Sequence, residues 1–385
     1  MKATAPFVGA LALALLTAAC GAGTAPASSP PSPVATAAAK PSAPPLSASA
    51  SAQPASASAK PAALAAASAS AAAKPGATPV RLGLLPSVAS APIYANLEAG
   101  AFANSGLDVS ITPFTDTVQI MVSIAGGQLD MGQVTLGAAA LNAFNRGTDL
   151  KIVSSANQDP PEHGSLAPVL VRTDLIDSGQ VKSAKDLKGR KVAINGKGTI
   201  LEYSIGKYML DNGMQPSDVE IAILPLPDQV TALGNKAIDA ALTLQPLATQ
   251  AIQKGVAKIL TDSATPNAQL GMITANTKWA ESHHDALVSF MVDHVRMIRR
   301  LSDGAVKKDD AALAAIQKWV KTDPEIVRSA PDPFWPKDGR INRKSLADEQ
   351  QYFLDQKATN YTTAIPIDRM VDETYLEEAL KKLGS

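Results

Sequence analysis

The chain has 385 residues, and its 35 Lys and Arg balance 35 Asp and Glu, so no net field draws it to nucleic acid or anionic lipid. Its 46% hydrophobic content is carried by alanine, since aromatic residues are only 4%. One cysteine, Cys20, excludes a disulfide framework and any cysteine-based metal site.

The N-terminus carries Lys2, an apolar run from about Phe7 to Leu16, and then Leu16-Thr-Ala-Ala-Cys20. The run falls short of the roughly 20 residues needed to span a bilayer, so residues 1–19 read as a cleaved signal. Its ending resembles the bacterial lipoprotein signal, in which the cysteine becomes the lipidated first residue, although Thr17 stands where leucine is usual. Residues 20–79 then form a linker of Ala, Pro and Ser with Lys40, Lys60 and Lys74 and no acidic or aromatic residue. Such a segment cannot bury enough apolar surface to offset the entropy of ordering it. Its reach as a tether lies between roughly 40 Å and about 180 Å. The pattern predicts a payload held outside the cytoplasm on a lipid anchor, on the periplasmic side or outer face of a bacterial membrane.

The folded part starts at Val80-Arg-Leu-Gly-Leu-Leu85, a buried strand. Pro92 opens a helix reaching about Ala103, Leu107 to Phe114 alternates as a second strand, and Thr115-Asp-Thr117 caps a helix that ends before Gly126. Leu129 to Gln133 is a third strand, Gly137 to Asn145 a helix, and Leu150 to Ser154 a strand. The second half repeats this, with strands at 167–171, 191–194, 219–224, 238–242 and 258–260 and helices at 199–212, 228–235 and 246–254. After a strand at 270–275 the chain is helical, with Ser282 and Asp285 as a capping pair, Asp323-Pro324 as cap and first turn, and a stripe of Val371, Tyr375, Ala379 and Leu383. Strands alternating with single helices predict an α/β fold with parallel sheets.

The stretch Asn195-Gly-Lys-Gly-Thr-Ile-Leu-Glu202 follows a strand and opens a helix, with Thr199 and Glu202 spaced as a capping box. It is not a phosphate loop, because Gly198 separates Lys197 from Thr199 and Gly189 is out of register. A loop there aims amides at the carboxyl ends of strands, where open α/β sheets hold ligands.

The order of blocks resembles a family. Ala91-Pro-Ile-Tyr94, Glu98-Ala-Gly-Ala-Phe102, Gly106-Leu-Asp-Val109, Ala125-Gly-Gly-Gln-Leu-Asp-Met-Gly132, Asp186 through Gly198 and Ile238-Asp-Ala-Ala241 are similar to type II periplasmic binding proteins. The group in question takes nitrate, aliphatic sulfonates, taurine and thiamine pyrimidines and serves ABC importers. The resemblance implies a two-lobed fold with two crossover strands near 169–172 and 272–275, a cleft between the lobes, and C-terminal helices returning to the first lobe. Lobe 1 would be 80–172 plus 272–385 and lobe 2 would be 173–271. It further implies a monomer that binds a small molecule, an ABC permease as partner, no nucleic acid and no cofactor.

Loops that follow strands give the candidate ligand-binding residues Ser87, Tyr94, Thr115, Asp116, Thr135, Gly137, Asn157, Gly198, Thr199, Glu202, Asp228 and Gln245, with Lys197 beside them. Each has a structural alternative: Tyr94 as packing, Asp116 and Asp228 as helix caps, Gly137 as turn relief. At Gln245-Pro246 relatives often carry an aromatic residue and Glu before the Pro, which this chain lacks. An enzyme is the competing class, and the residues argue against one. Of His163 in a loop and His283, His284 and His294 in the tail, His284 and His294 are not at helix-face metal spacing, His163 is accompanied only by Glu162, and His294 reads as a satisfied histidine at the core boundary. A membrane-linked ligand sensor is the third reading. Because Asp116, Glu202 and Asp228 would occupy three helix N-termini, the pattern predicts a neutral or cationic nitrogenous ligand rather than an oxyanion.

Overall fold

The protein is described by a computed structural model over residues 75–384. The expected signal, the lipidated Cys20 and most of the expected linker lie outside the described residues. Chain order runs β1 (Thr78–Leu84), α1 (Ala91–Glu98), α2 (Ala101–Asn104), β2 (Leu107–Pro113), α3 (Thr117–Ala125), β3 (Met131–Val134), α4 (Ala138–Asn145) and β4 (Leu150–Gln158). It continues through β5 (Val169–Arg172), α5 (Thr173–Asp177), β6 (Lys191–Ile194), α6 (Ile200–Asp211), β7 (Glu220–Ile223), α7 (Leu226–Gly234), β8 (Ala240–Leu242), α8 (Leu247–Gln253) and β9 (Ala257–Thr261). The last strand is β10 (Gln269–Asn276), followed by α9 (Thr277–Ser282), α10 (His284–Leu301), α11 (Asp310–Val320), α12 (Pro324–Ser329), α13 (Arg343–Asp355), α14 (Ile367–Met370) and α15 (Thr374–Lys382).

Two five-stranded sheets result, in the orders β2-β1-β3-β10-β4 and β7-β6-β8-β5-β9. The α/β two-lobed architecture is as expected, but neither sheet is wholly parallel. β10 runs antiparallel to β3 and β4, and β5 antiparallel to β8 and β9. Each reversed strand is the one that enters its sheet from the other lobe, so it arrives from the opposite end. β5 and β10 belong wholly to their sheets, which moves the crossings from 169–172 and 272–275 to residues 159–168 and 262–268. The second sheet is built from residues 169–261.

Local chemistry explains the other departures. The helix expected over 92–103 is broken at Gly100, whose φ of 68° is a left-handed conformation that glycine adopts without strain. Ser282 ends α9 and bonds back to the Lys278 carbonyl at 2.8 Å, so it does not cap α10 with Asp285. Asp323 does cap α12, accepting from Glu325 N at 2.8 Å.

Each lobe buries its own apolar face. In the first, α10 presents Leu287, Val288, Met291, Val295 and Ile298, spaced three and four apart, and Phe102 stacks on Phe290 at 5.0 Å. Each such buried side chain contributes about 1.5–3 kcal/mol. The second packs Leu170, Ala193, Leu233 and Ala241 between its helices. The C-terminal helices do not all return to the first lobe: α13 lays Tyr352 against Tyr203 of α6, edge to face at 5.5 Å.

Both crossings meet on one buried carboxylate. Ser165 Oγ donates to Asp159 Oδ1, and Thr265 Oγ1 donates to Asp159 Oδ2 at 3.0 Å while standing 3.2 Å from Ser204 Oγ on α6. Burial raises the Asp159 pKa to about 6 despite these donors.

Candidate functional site

Loops at the carboxyl ends of strands from both sheets surround a cavity of about 750 Å³. Leu85 follows β1, Thr115 and Asp116 follow β2, Thr135 and Gly137 follow β3, Asn195 through Glu202 follow β6, and Leu244 follows β8. The strand-end rule therefore places walls from both lobes on one space. Of the expected site residues it brings together Thr115, Asp116, Thr135, Gly137, Gly198, Thr199 and Glu202, with Lys197.

Three helix N-termini face this cavity, and they differ in how their amides are satisfied. Asp116 caps α3 by accepting from Val118 N at 3.0 Å. Thr199 caps α6 by accepting from Glu202 N at 3.4 Å, while the Glu202 carboxylate accepts from Gly198 N. Both N-cap bonds match the sequence reading, but the return half of the expected capping box is shifted by one residue, from Thr199 N to Gly198 N. The third helix, α4, has Gly137 at its cap position, no side-chain cap and no acidic residue in its first turn. Its first amide, Ala138 N, instead donates to Gly198 O of the other lobe at 2.9 Å. Two glycines permit this approach. A Cβ on Gly137 would overlap the Gly198 carbonyl, and Gly198 holds a φ of 68°.

Five expected residues lie elsewhere. Ser87 accepts from Ala89 N at 3.2 Å and caps a short 3-10 turn. Tyr94 is buried in the first lobe, stacked on Trp319 at 5.6 Å with its hydroxyl on Leu85 O at 3.1 Å. Burial pushes its pKa to about 12. Asn157 is buried in β4, packed beside Gly271. Asp228 is exposed in the first turn of α7, whose cap position is Pro225, so it caps nothing. Gln245 accepts from Thr249 N at 3.1 Å and Thr249 Oγ1 at 2.7 Å, and lines a separate small hollow with Val88, Leu166 and Pro331.

Sequence reasoning missed the apolar lining of Leu85, Met121 and Leu244, and the C-terminal residues Gln356 and Ala358. The first and third follow strands and could have been found by the same rule. Gln356 and Ala358 follow a helix late in the chain and carry no local signal.

The histidines are not in this lining. His163 pairs with Asp262 at 3.0 Å, a partner 99 positions away, and that carboxylate raises its pKa. His294 is a core residue rather than a boundary one, and burial drives its pKa down to about 4. Among the described residues no group of three or more His, Cys, Asp or Glu could hold a metal ion.

A family profile described as the NMT1-like family matches residues 73–316. A putative aliphatic sulfonates-binding protein of Bacillus subtilis is 24% identical over 217 residues, which are 55% of this chain and 62% of that relative's length. The periplasmic aliphatic sulphonate binding protein SsuA of Escherichia coli superposes with a TM-score of 0.63 at 18% identity, covering 76% of this chain and 92% of that one. The periplasmic nitrate-binding protein NrtA of Synechocystis PCC 6803 does so with a TM-score of 0.61 at 15% identity, covering 80% and 89%.

Proposed function

The chain belongs to the NMT1-like family, and we propose that it is an extracytoplasmic solute-binding protein that holds a small organic molecule between its lobes and delivers it to an ABC importer. The observation that carries this reading is the two-walled cavity at the strand ends, closed by Ala138 against Gly198. Relatives named for binding aliphatic sulfonates and nitrate support it. The same cavity contains no nucleophile set on a base, which favours binding over catalysis. Cys20 would anchor the mature protein to the membrane, with the Ala, Pro and Ser linker as the tether up to β1, which starts at Thr78, two residues before the expected Val80.

The ligand class follows from the caps. The expectation of a neutral or cationic ligand counted three carboxylates, and Asp228 is not among the cavity residues. Asp116 and Glu202 are spent on amides, whereas α4 has no side-chain cap and no acidic residue in its first turn; Gly198 O takes its first amide, Ala138 N, and the rest of that turn faces the cavity that Lys197 also lines. This corner suits an acidic head group, and Leu85, Met121 and Leu244 suit an apolar body. We therefore read the ligand as a small organic anion.

Calorimetry with alkanesulfonates, nitrate, amines and pyrimidines tests the reading. Submillimolar binding of an alkanesulfonate is expected. Binding confined to amines and pyrimidines would overturn the ligand class, and binding of no solute together with turnover of one would overturn the function.

A further inference from the structure

Resting on that solute-binding reading, we propose that Tyr352 is a positioning residue of the cleft, the anchor of a C-terminal strap that fixes where α6 stands against α4. Four observations converge on it. Tyr352 reaches from α13 to α6, donating its hydroxyl to Glu202 O, in the first turn that lines the cavity, at 3.4 Å. Its ring is held edge-on by Tyr203 at 5.5 Å and by Phe353 at 5.4 Å, so it is not free to swing away.

The helix it meets is shaped for it. Gly206 lies in the interior of α6, where glycine is a poor helix former compared with alanine. A Cβ there would stand 2.6 Å from Tyr352 Cζ and overlap the hydroxyl. The glycine thus makes a notch that the tyrosine fills, and packing explains a residue that helix propensity disfavours.

Just beyond Tyr352 the same segment reaches the other wall. Gln356 and Ala358 line the cavity directly, and Asn360 N donates to Asn142 Oδ1 of α4 at 2.8 Å. One stretch of about nine residues therefore touches α6 and α4, two of the three helices whose N-termini face the ligand space. The strap bridges them at points apart from the Ala138–Gly198 contact, so the two ties together set their separation.

The test uses the mature chain with Cys20→Ser, spin-labelled at Val122→Cys on the first lobe and Ile223→Cys on the second, so the inter-lobe distance is read without any ligand. Gly206→Ala is expected to give a longer and broader distance distribution. On a Tyr352→Ala background the same Gly206→Ala change should add no lengthening and should raise the thermal midpoint, because the clash is gone and alanine favours the helix. Asn142→Ala, which releases the other end of the strap, should also lengthen the distance and serves if Gly206→Ala does not fold. An unchanged distribution in Asn142→Ala or in a folded Gly206→Ala, or equal lengthening on both tyrosine backgrounds, would overturn the positioning role. These distances do not depend on what binds, so their failure is separate from failure of the solute-binding reading.

Discussion

The amide of Ala138, first residue of α4 in one lobe, donates to the carbonyl of Gly198 in the other lobe at 2.9 Å. This bond ties together two loops that follow β3 and β6, and it stands at the edge of the proposed ligand space. Gly137→Ala should break it, because the new Cβ would overlap a backbone oxygen that has no rotamer to yield. Gly137 itself has a φ of −156°, an ordinary extended conformation, so alanine adds no backbone strain there. Small-angle scattering should show a more open particle with little change in thermal midpoint. A particle as compact as the wild type would contradict the contact's role in holding the lobes.

Helix caps give a second expectation. Thr199→Ala removes the acceptor for Glu202 N and should cost about 1 kcal/mol. Asp228→Ala should cost close to nothing, since the residue is exposed and caps no helix. Chemical denaturation of the two variants checks the difference, and equal losses would contradict the assignment of caps.

Asp159 supplies one arm of the pH dependence. Its folded-state pKa is raised from 3.8 to about 6 by burial, so the folded protein binds this proton more tightly than the unfolded chain. Its contribution to stability is full below about pH 3.8, declines as pH rises through 6, and is absent above; integrated over the shift it is roughly 3 kcal/mol. Buried His294, its pKa lowered to about 4, adds stability as pH rises over nearly the same range and so opposes Asp159; Asp159→Asn should leave that rise unopposed, and the variant's thermal midpoint should gain on the wild type's between pH 4 and 6. The same slope in the variant would place the titration elsewhere.

The proposed membrane anchor is tested by fractionation. Cys20→Ser should move the protein from membrane to soluble fractions, because it removes the sulfur that would carry the proposed lipid. Retention in the membrane fraction would contradict lipidation.

What could be read from the chain was what local chemistry dictates. Asp116 and Thr199 stand immediately before apolar helical runs, and their capping bonds formed as expected. Thr135 and Gly137 follow a strand, and the strand-end rule put them in the cavity. Asp228 misled because Pro225-Leu-Pro227 starts α7 earlier, leaving the acid inside the first turn. The reversed β5 and β10 could not be seen, since strand direction depends on which lobe the chain comes from and leaves no periodic trace. Pairs distant in sequence were also hidden: His163 with Asp262, and Tyr352 with Gly206. Each member has a bland local context, and only packing joins them.

The most direct test of the central claim is a calorimetric titration of one alkanesulfonate into the wild-type protein, Lys197→Ala and Asp228→Ala. Lys197 is the cation lining the cavity beside α4, and a hydrogen bond to a charged group is worth about 1.5–3 kcal/mol. Binding should weaken at least roughly tenfold in Lys197→Ala and be unchanged in Asp228→Ala. Equal affinity in all three proteins would contradict the claim.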